Sequence, residues 1–253
     1  MQPPIERIRL LEDIGADAWP AATTAWLEGW RLGLDRGVTR RANSVLPNAD
    51  QPADDVDALI DAVEQRYRAK GLRPCFKLTA AAEPADLDRR LAHRGYRSEG
   101  HSLVLVADAR TIAPRRSSQI SITLEDRPTP VWLEACWPAA QYAAERSARQ
   151  GIVARLRLPR AFGLARLGAA PGGAALGVAD RGWVGLTAVH TLPEQRRRGV
   201  AQSLLGALAR WAVEQGVERL YLQVEHDNAP ARQLYGRLGF TEAYGYHYRR
   251  AAA

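Results

Sequence analysis

The chain has 253 residues, 46% apolar and 25% charged, the balance of a folded globular protein with room for one large domain or two modest ones. Lys plus Arg number 35 against 28 Asp plus Glu, a formal charge of +7, yet only Lys70 and Lys77 are lysines, and the arginines are scattered among acidic residues rather than gathered in a stripe with aromatics. That pattern argues against a nucleic-acid groove, the two cysteines are too few for a disulfide scaffold or a thiolate-rich zinc site, and no apolar run is long enough to span a bilayer.

The first residues, MQPPIERIRLLEDIG, hold no continuous apolar core of a secretory signal, so the expected location is the cytoplasm. The segment 30–47, WRLGLDRGVTRRANSVLP, reads as a hairpin turning near Asp35-Arg36-Gly37, with Arg40, Arg41, Asn43 and Ser44 on the returning strand. Trp19, Trp26 and Trp30 read as core or packing residues. A helix follows with Val56, Leu59, Ile60, Val63 and Tyr67 in register, stopped by Gly71. Residues 74–79 form a strand, a helix carries Pro84, Leu87 and Leu91 to Gly95-Tyr96, and 101–107 form another strand. Residues 107–121 mix Pro, Arg and Ser and read as a linker, with a boundary near residue 115.

The second half is easier to parse, although no clear first strand precedes residue 160. Residues 161–167 and 174–180 form a hairpin around the turn AAPGG, and 183–189 form a third strand. From Gly199 the period becomes helical, with Leu204, Leu205, Leu208, Trp211 and Ala212 on one stripe and Gly216 as the stop. Residues 219–224 are a buried strand. Asn228 caps a helix with Pro230 in its first turn and Leu234, Tyr235 and Leu238 inward; Gly239 ends it. Phe240 and then 244–250 begin and complete the strands at the end, with Tyr244, Tyr246 and Tyr248 on one face. Gly71 and Gly95 lie 24 residues apart and Gly216 and Gly239 lie 23 apart, each second glycine preceding an aromatic residue. This echo is the mark of an internal duplication.

The most specific chemistry lies in VHTLPEQRRRGVAQSLLGALARWA, where a strand, a short loop and a helix N-terminus follow one another. The unbonded amides of a first helical turn, with the helix dipole behind them, favour an anion. Gly199 lets backbone approach it closely, Ala201 keeps the approach open, and Arg196, Arg197 and Arg198 add charge, an arrangement suited to a diphosphate. It is neither a P-loop nor a G-x-G-x-x-G loop.

Arg196-x-x-Gly199-x-Ala201 resembles the acyl-CoA pyrophosphate motif of the GNAT superfamily of N-acetyltransferases. EHDNAPARQLYGRLGF resembles that superfamily's second signature, with Asn228, Ala231, Tyr235, Gly239 and Phe240 in the matching places. The resemblance implies an α/β (α+β) fold of two tandem GNAT-like domains, each a mixed twisted sheet flanked by helices. Residues 1–113 would be a degenerate copy, structural or on the substrate side, and 118–253 the acetyl-CoA-binding catalytic domain. It implies that Arg196, Arg197, Arg198, Gly199, Val200 and Ala201 hold the pyrophosphate. Val189 and its neighbours would bond the pantetheine arm, Asn228 would touch that arm or position its helix, and Tyr235 would lie near the sulfur. Strands 184–190 and 219–224 would splay to admit the thioester.

Acetyl transfer to an amine needs an oxyanion donor, for which a backbone amide near Val189 serves, and a proton for the leaving thiolate, for which Tyr235 serves. Tyr235 also fits simple packing beside Leu234 and Leu238. Many relatives place a carboxylate on the strand before the loop, and WVGLTAVH has none. Glu225 and His190 are the candidate bases, and transfer without an enzymic base stays open. His247 reads as a residue of the last strand that lines the cleft or packs, His93 and His101 suggest no site, and no cluster has metal-ligand spacing. Trp132, Trp137 and residues 138–150 would form a substrate-side wall. In the N-terminal copy Asp54, Asp55 and Asp57 stand at the helix start, where they suit capping and repel a diphosphate.

The leading function is therefore an N-acetyltransferase moving acetyl from acetyl-CoA directly to a primary amine of a small molecule or peptide. It would act without nucleic acid, membrane or metal, as a monomer or homodimer. The alternatives are a non-catalytic acyl-CoA-binding sensor and, third, a nucleic-acid-binding protein.

Overall fold

The structure is a computed structural model that describes residues 3–48, 54–114 and 117–252. It opens with α1 (Ile5–Asp17), absent from the sequence reading, which buries Ile8, Leu11 and Ile14 on one face. Strands β1 (Thr23–Leu27) and β2 (Trp30–Leu34) follow, with Glu28 and Gly29 between them at φ 43 and 82, the positive values that a two-residue hairpin turn requires. Next come β3 (Val45–Leu46), α2 (Val56–Arg68), β4 (Cys75–Leu78), α3 (Leu87–His93) and β5 (Arg97–Asp108). The remainder runs α4 (Ala109–Ile112), β6 (Ile120–Glu125), α5 (Pro130–Cys136), α6 (Ala139–Ala154, interrupted at Tyr142), β7 (Arg160–Leu167), β8 (Ala170–Asp180) and β9 (Trp183–Thr191). It ends with α7 (Val200–Glu214), β10 (Arg219–Glu225), α8 (Ala229–Leu238) and β11 (Thr241–Arg250). The whole is a mixed α/β protein in which helices flank β-sheet.

The chain divides into two compact units. One comprises Met1–Leu103, Gly151–Leu156 and Tyr244–Ala253, and the other Val104–Gln150 and Arg157–Ala243. The units are not contiguous in sequence: the last ten residues join the first. The boundary expected near residue 115 falls at Arg115 and Arg116, outside the described residues.

In the first unit β1, β2 and β3 are antiparallel neighbours, β3 runs parallel to β4, and β4 pairs antiparallel with β11, His247 facing Leu78 and Arg250 facing Cys75. The predicted stripe of α2 is its buried face, packing Val56, Leu59, Ile60, Val63 and Tyr67 into a core with Trp30, Phe76 and Tyr96. Asp55 caps α2 by accepting from the Ala58 amide at 3.0 Å, and Asp57 is held by Arg90 and Arg94. Lys77 of β4 and Glu12 of α1 form a buried ion pair at 2.5 Å, Tyr244 Oη donates to Glu12 at 2.8 Å, and Lys77 lies 3.8 Å from the Tyr246 ring centroid. Tyr244, Tyr246 and Tyr248 are all buried, as their alternation indicates.

Several expectations about this unit change. The antiparallel partner of β2 is β3, but ten residues separate them, and Arg40–Ala42 form a 3-10 turn instead of a strand. The reason is Asn43: its buried Oδ1 accepts from the Asp35 and Gly37 amides and its Nδ2 donates to Thr39 O, so the loop is organised around one side chain. Trp19 and Trp30 are core residues, whereas Trp26, on the outward side of β1, is 59% exposed. His101 does have partners, stacking on His247 at 5.3 Å and bonding Ser98, and His247 bonds Asp88 at 2.9 Å.

In the second unit β6, β7, β8 and β9 form an antiparallel series and β10 runs parallel to β9. Strand β6 is the first strand that the sequence reading missed; six of the fifteen residues read as linker are α4 and the start of β6. Its burial alternates, with Ile120, Ile122 and Leu124 on the more buried side and Ser121, Thr123 and Glu125 exposed, the pattern of a half-buried strand. The stripe Leu204, Leu205, Leu208 and Ala212 of α7 is buried. Trp132 and Trp137 are core residues, 1% and 3% exposed, rather than a wall facing substrate; Trp132 packs edge-on against Phe162 at 4.9 Å.

Candidate active site

The site is built where β9 meets α7 in the second unit. Strand β9 pairs with β10 from Trp183↔Arg219 to Leu186↔Leu222 and no further, although both strands continue to Thr191 and Glu225. Past Leu186 and Leu222 the two strands are no longer ladder partners, which is the splay expected of strands 184–190 and 219–224 and turns the edge of β9 around Val189 away from β10.

On its other edge β9 carries a bulge. Ala174 pairs with His190 and Leu176 with Thr187, so Ala175 alone faces Ala188 and Val189. Ala188 takes φ 52, left-handed and costly for a residue with a Cβ. Beyond the bulge β8 and β9 approach so closely that a Cβ at Gly173 would lie 2.3 Å from His190 O, and only glycine permits that contact.

After β9 the chain makes a 3-10 turn, Pro193–Gln195, and enters α7 through Arg196–Gly199. Arg197 and Gly199 both have left-handed φ, 61 and 83, a backbone pattern that gathers successive amides into an anion-binding concavity. Gly199 is the N-cap and offers no side chain to the first-turn amides of this 15-residue helix. A Cβ there would meet only Ile120 Cδ1, at 4.0 Å, so the entrance is open. Arg196, Arg197 and Arg198 are exposed around it, with Arg198 Nη1 donating to Gln195 Oε1 at 2.8 Å. Val200 is 1% exposed, so its side chain belongs to the core and only its amide faces the entrance. Open space, uncapped amides and exposed cations together fit the diphosphate of acetyl-CoA.

Asn228 caps α8, its Oδ1 accepting from the Ala231 amide at 3.2 Å. Of the two roles considered for Asn228, this is the positioning one. Tyr235 is buried on the inner face of α8, edge-on to Phe240 at 5.8 Å, and burial pushes its hydroxyl up to about 12. It therefore keeps its proton at neutral pH. His190 is half-buried and its Nε2, a buried atom, has no hydrogen-bond partner. Burial first, and the charge of Arg196 second, hold its imidazole below the ordinary 6.5, so it is neutral at pH 7 and able to accept a proton. Glu225 ends β10 and is exposed. His247 belongs to the first unit and is held by Asp88. The feature that sequence reasoning missed is the bulge; Gly173 was its one legible trace.

Comparison with known proteins agrees with this geometry. Residues 6–249 match the family described as "Probable histone acetyltransferase Rv0428c C-terminal". The chain is 30% identical over 249 residues to "Uncharacterized N-acetyltransferase YobR" of Bacillus subtilis (strain 168), covering 97% of this chain and 99% of that one. Among solved structures it shares its fold with a GCN5-related N-acetyltransferase from Kribbella flavida, with TM-score 0.73 at 18% identity over 100% of this chain and 97% of that one. It also shares its fold with a "Tandem GNAT protein from the clavulanic acid biosynthesis pathway", with TM-score 0.65 at 15% identity over 96% and 88%. The chain thus belongs to this acetyltransferase family, within the GNAT superfamily, and is an acetyl-CoA-dependent N-acetyltransferase.

Proposed function

We propose that the second unit carries acetyl transfer directly to a primary amine of a small molecule or peptide, with donor and acceptor bound together. The observation that carries this is the conjunction of a bulged, one-sided strand β9 with an uncapped, arginine-ringed entrance to α7. Acetyl-CoA supplies an activated acetyl group as a thioester. The amides of Arg197–Ala201 hold its diphosphate, and the free edge of β9 around Val189 holds its pantetheine arm. The acceptor nitrogen bonds to the acetyl carbon, the carbon–sulfur bond breaks, one proton leaves the nitrogen and one reaches the thiolate. An amide near Val189 faces the charge that builds on the carbonyl oxygen. His190 takes the amine proton, supported by its neutral, unpartnered Nε2; Glu225 is the second acceptor for that proton, at the solvent end of β10. Tyr235, protonated at neutral pH, gives the thiolate its proton.

The first unit is read as a degenerate copy of the second. Each contains an antiparallel run, then a helix, then a parallel strand and a further helix: β1-β2-β3, α2, β4, α3 in one and β7-β8-β9, α7, β10, α8 in the other. The fold shared with a tandem GNAT protein supports this. Where α7 opens on an uncapped glycine, α2 is closed by its own Asp55, and Asp57 engages two arginines, which disfavours a diphosphate there. The family's description favours a protein amine among acceptors. Among described residues no helix is long and apolar enough to cross a membrane, and neither cysteine is in a disulfide, which suits the reducing cytoplasm.

The test is calorimetric binding of acetyl-CoA, followed by CoA release against polyamines, aminoglycosides, free amino acids and lysine-containing peptides. The expected outcome is saturable binding and amine-dependent release; absence of binding overturns the assignment.

A further inference from the structure

The bulge in β9 lies against α5, and α5 supplies a side-chain donor to each strand beside it. Cys136 Sγ lies 3.3 Å from Ala188 O, the carbonyl of the left-handed bulge residue. Trp132 Nε1 donates to Ala175 O at 3.1 Å, and Ala175 is the single residue opposite the bulge. A bulge interrupts the ladder of strand hydrogen bonds, and the backbone groups it displaces need other partners. Here the two carbonyls on either side of the interruption receive them from one helix, one turn apart. Both donors are themselves fixed. Trp132 is 1% exposed and wedged edge-on between Trp137, at 5.4 Å, and Phe162. Cys136 is 2% exposed, and burial raises its thiol well above the ordinary range, so it remains an S–H donor. Helix α5 begins on a Thr129 cap, Oγ1 accepting from the Trp132 amide at 3.1 Å, with Pro130 at its start.

We infer that Trp132 and Cys136 are positioning residues that clamp the β9 bulge, and so hold the Val189 amide and its neighbours in register for the pantetheine arm. Neither residue touches the donor. Both act through Ala175 and Ala188, whose conformation decides which way the next amide points. The inference rests on the reading of β9 as the donor strand. It explains why a short helix with a tryptophan in its first turn and a cysteine at its last residue lies against this stretch of sheet, a role that packing alone would not require of an N–H and an S–H.

The experiment compares Cys136→Ala, Cys136→Ser and Trp132→Phe in the full chain by acetyl-CoA calorimetry, thermal unfolding and amide hydrogen exchange over residues 187–190. The expected result is a Kd for acetyl-CoA raised about fivefold to tenfold in Cys136→Ala and Trp132→Phe, with faster exchange at Val189 and His190. Cys136→Ser, which keeps a donor, stays within about twofold of wild type. A serine variant as impaired as the alanine variant, or unchanged affinity and exchange in both donor-less variants, overturns the clamp. Wild-type protein that fails to bind acetyl-CoA overturns instead the reading of β9 as donor strand, and the exchange data still decide whether α5 holds the bulge.

Discussion

Substitution of Gly199 tests the diphosphate entrance most directly, because three consequences separate cleanly. Gly199 stands at φ 83, where a Cβ costs about 1–2 kcal/mol through backbone strain alone. Its surroundings are open, with Ile120 Cδ1 the nearest atom at 4.0 Å, so no packing clash adds to that cost. Gly199→Ala should therefore lower stability by about 1 kcal/mol and weaken acetyl-CoA binding about tenfold, as the strained turn shifts its amides. Gly199→Asn, which tolerates the left-handed region, should fold nearly as well as wild type and still bind less tightly. Gly199→Asp adds a carboxylate beside a diphosphate: at ~5 Å and an effective dielectric of ~20 each charge pair costs about 3 kcal/mol, which exposure reduces to about 1 kcal/mol. Two such charges together cost about 2 kcal/mol, a loss of about thirtyfold in affinity. Calorimetric titration with acetyl-CoA, paired with urea unfolding, reads both quantities. Aspartate at this position with wild-type affinity would refute the reasoning, since no electrostatic account of the entrance survives it.

Tyr235→Phe should lower kcat about tenfold or more while leaving acetyl-CoA affinity within about twofold, measured by CoA release and calorimetry, and an unchanged rate would assign Tyr235 to packing alone. His190→Gln should abolish the acid limb of the kcat/KM profile that lies below pH 6.5. Because Arg196 helps depress the His190 pKa, Arg196→Gln should move that limb to higher pH; a limb that stays in place would remove His190 as the base. In the first unit, Glu12→Ala strands Lys77 as an unpaired buried charge, so urea unfolding should show a loss of about 3–5 kcal/mol, far more than an exposed pair would give.

Local order explains what could be read from the amino acids. The stripe of α7, its glycine entrance, the Asn228 cap and the tyrosine alternation in β11 all depend on residues within a few positions of one another, and each is present as the periodicity and capping rules require. The arginine triplet stood out for the same reason, since a helix N-terminus is a local object. Strand β6, ISITLE, carries the same alternation, and it was missed because the Pro, Arg and Ser residues just before it drew its first two residues into one linker reading. Asn43 was misplaced on a strand because its partners, Asp35 and Gly37, are defined only once the chain has turned back on itself.

By itself, then, the sequence determined the superfamily and the glycine start of α7, because both are written in short contiguous motifs. Tertiary structure alone decided the rest: that the chain's last ten residues join the first unit, that β9 carries its bulge at Ala188, that Trp132 and Cys136 point at that bulge, and that burial and Arg196 hold the His190 imidazole below its ordinary range. Strand pairing, burial and the field of a neighbouring arginine come from residues distant in the chain or from the path between them. No window of adjacent residues contains that information.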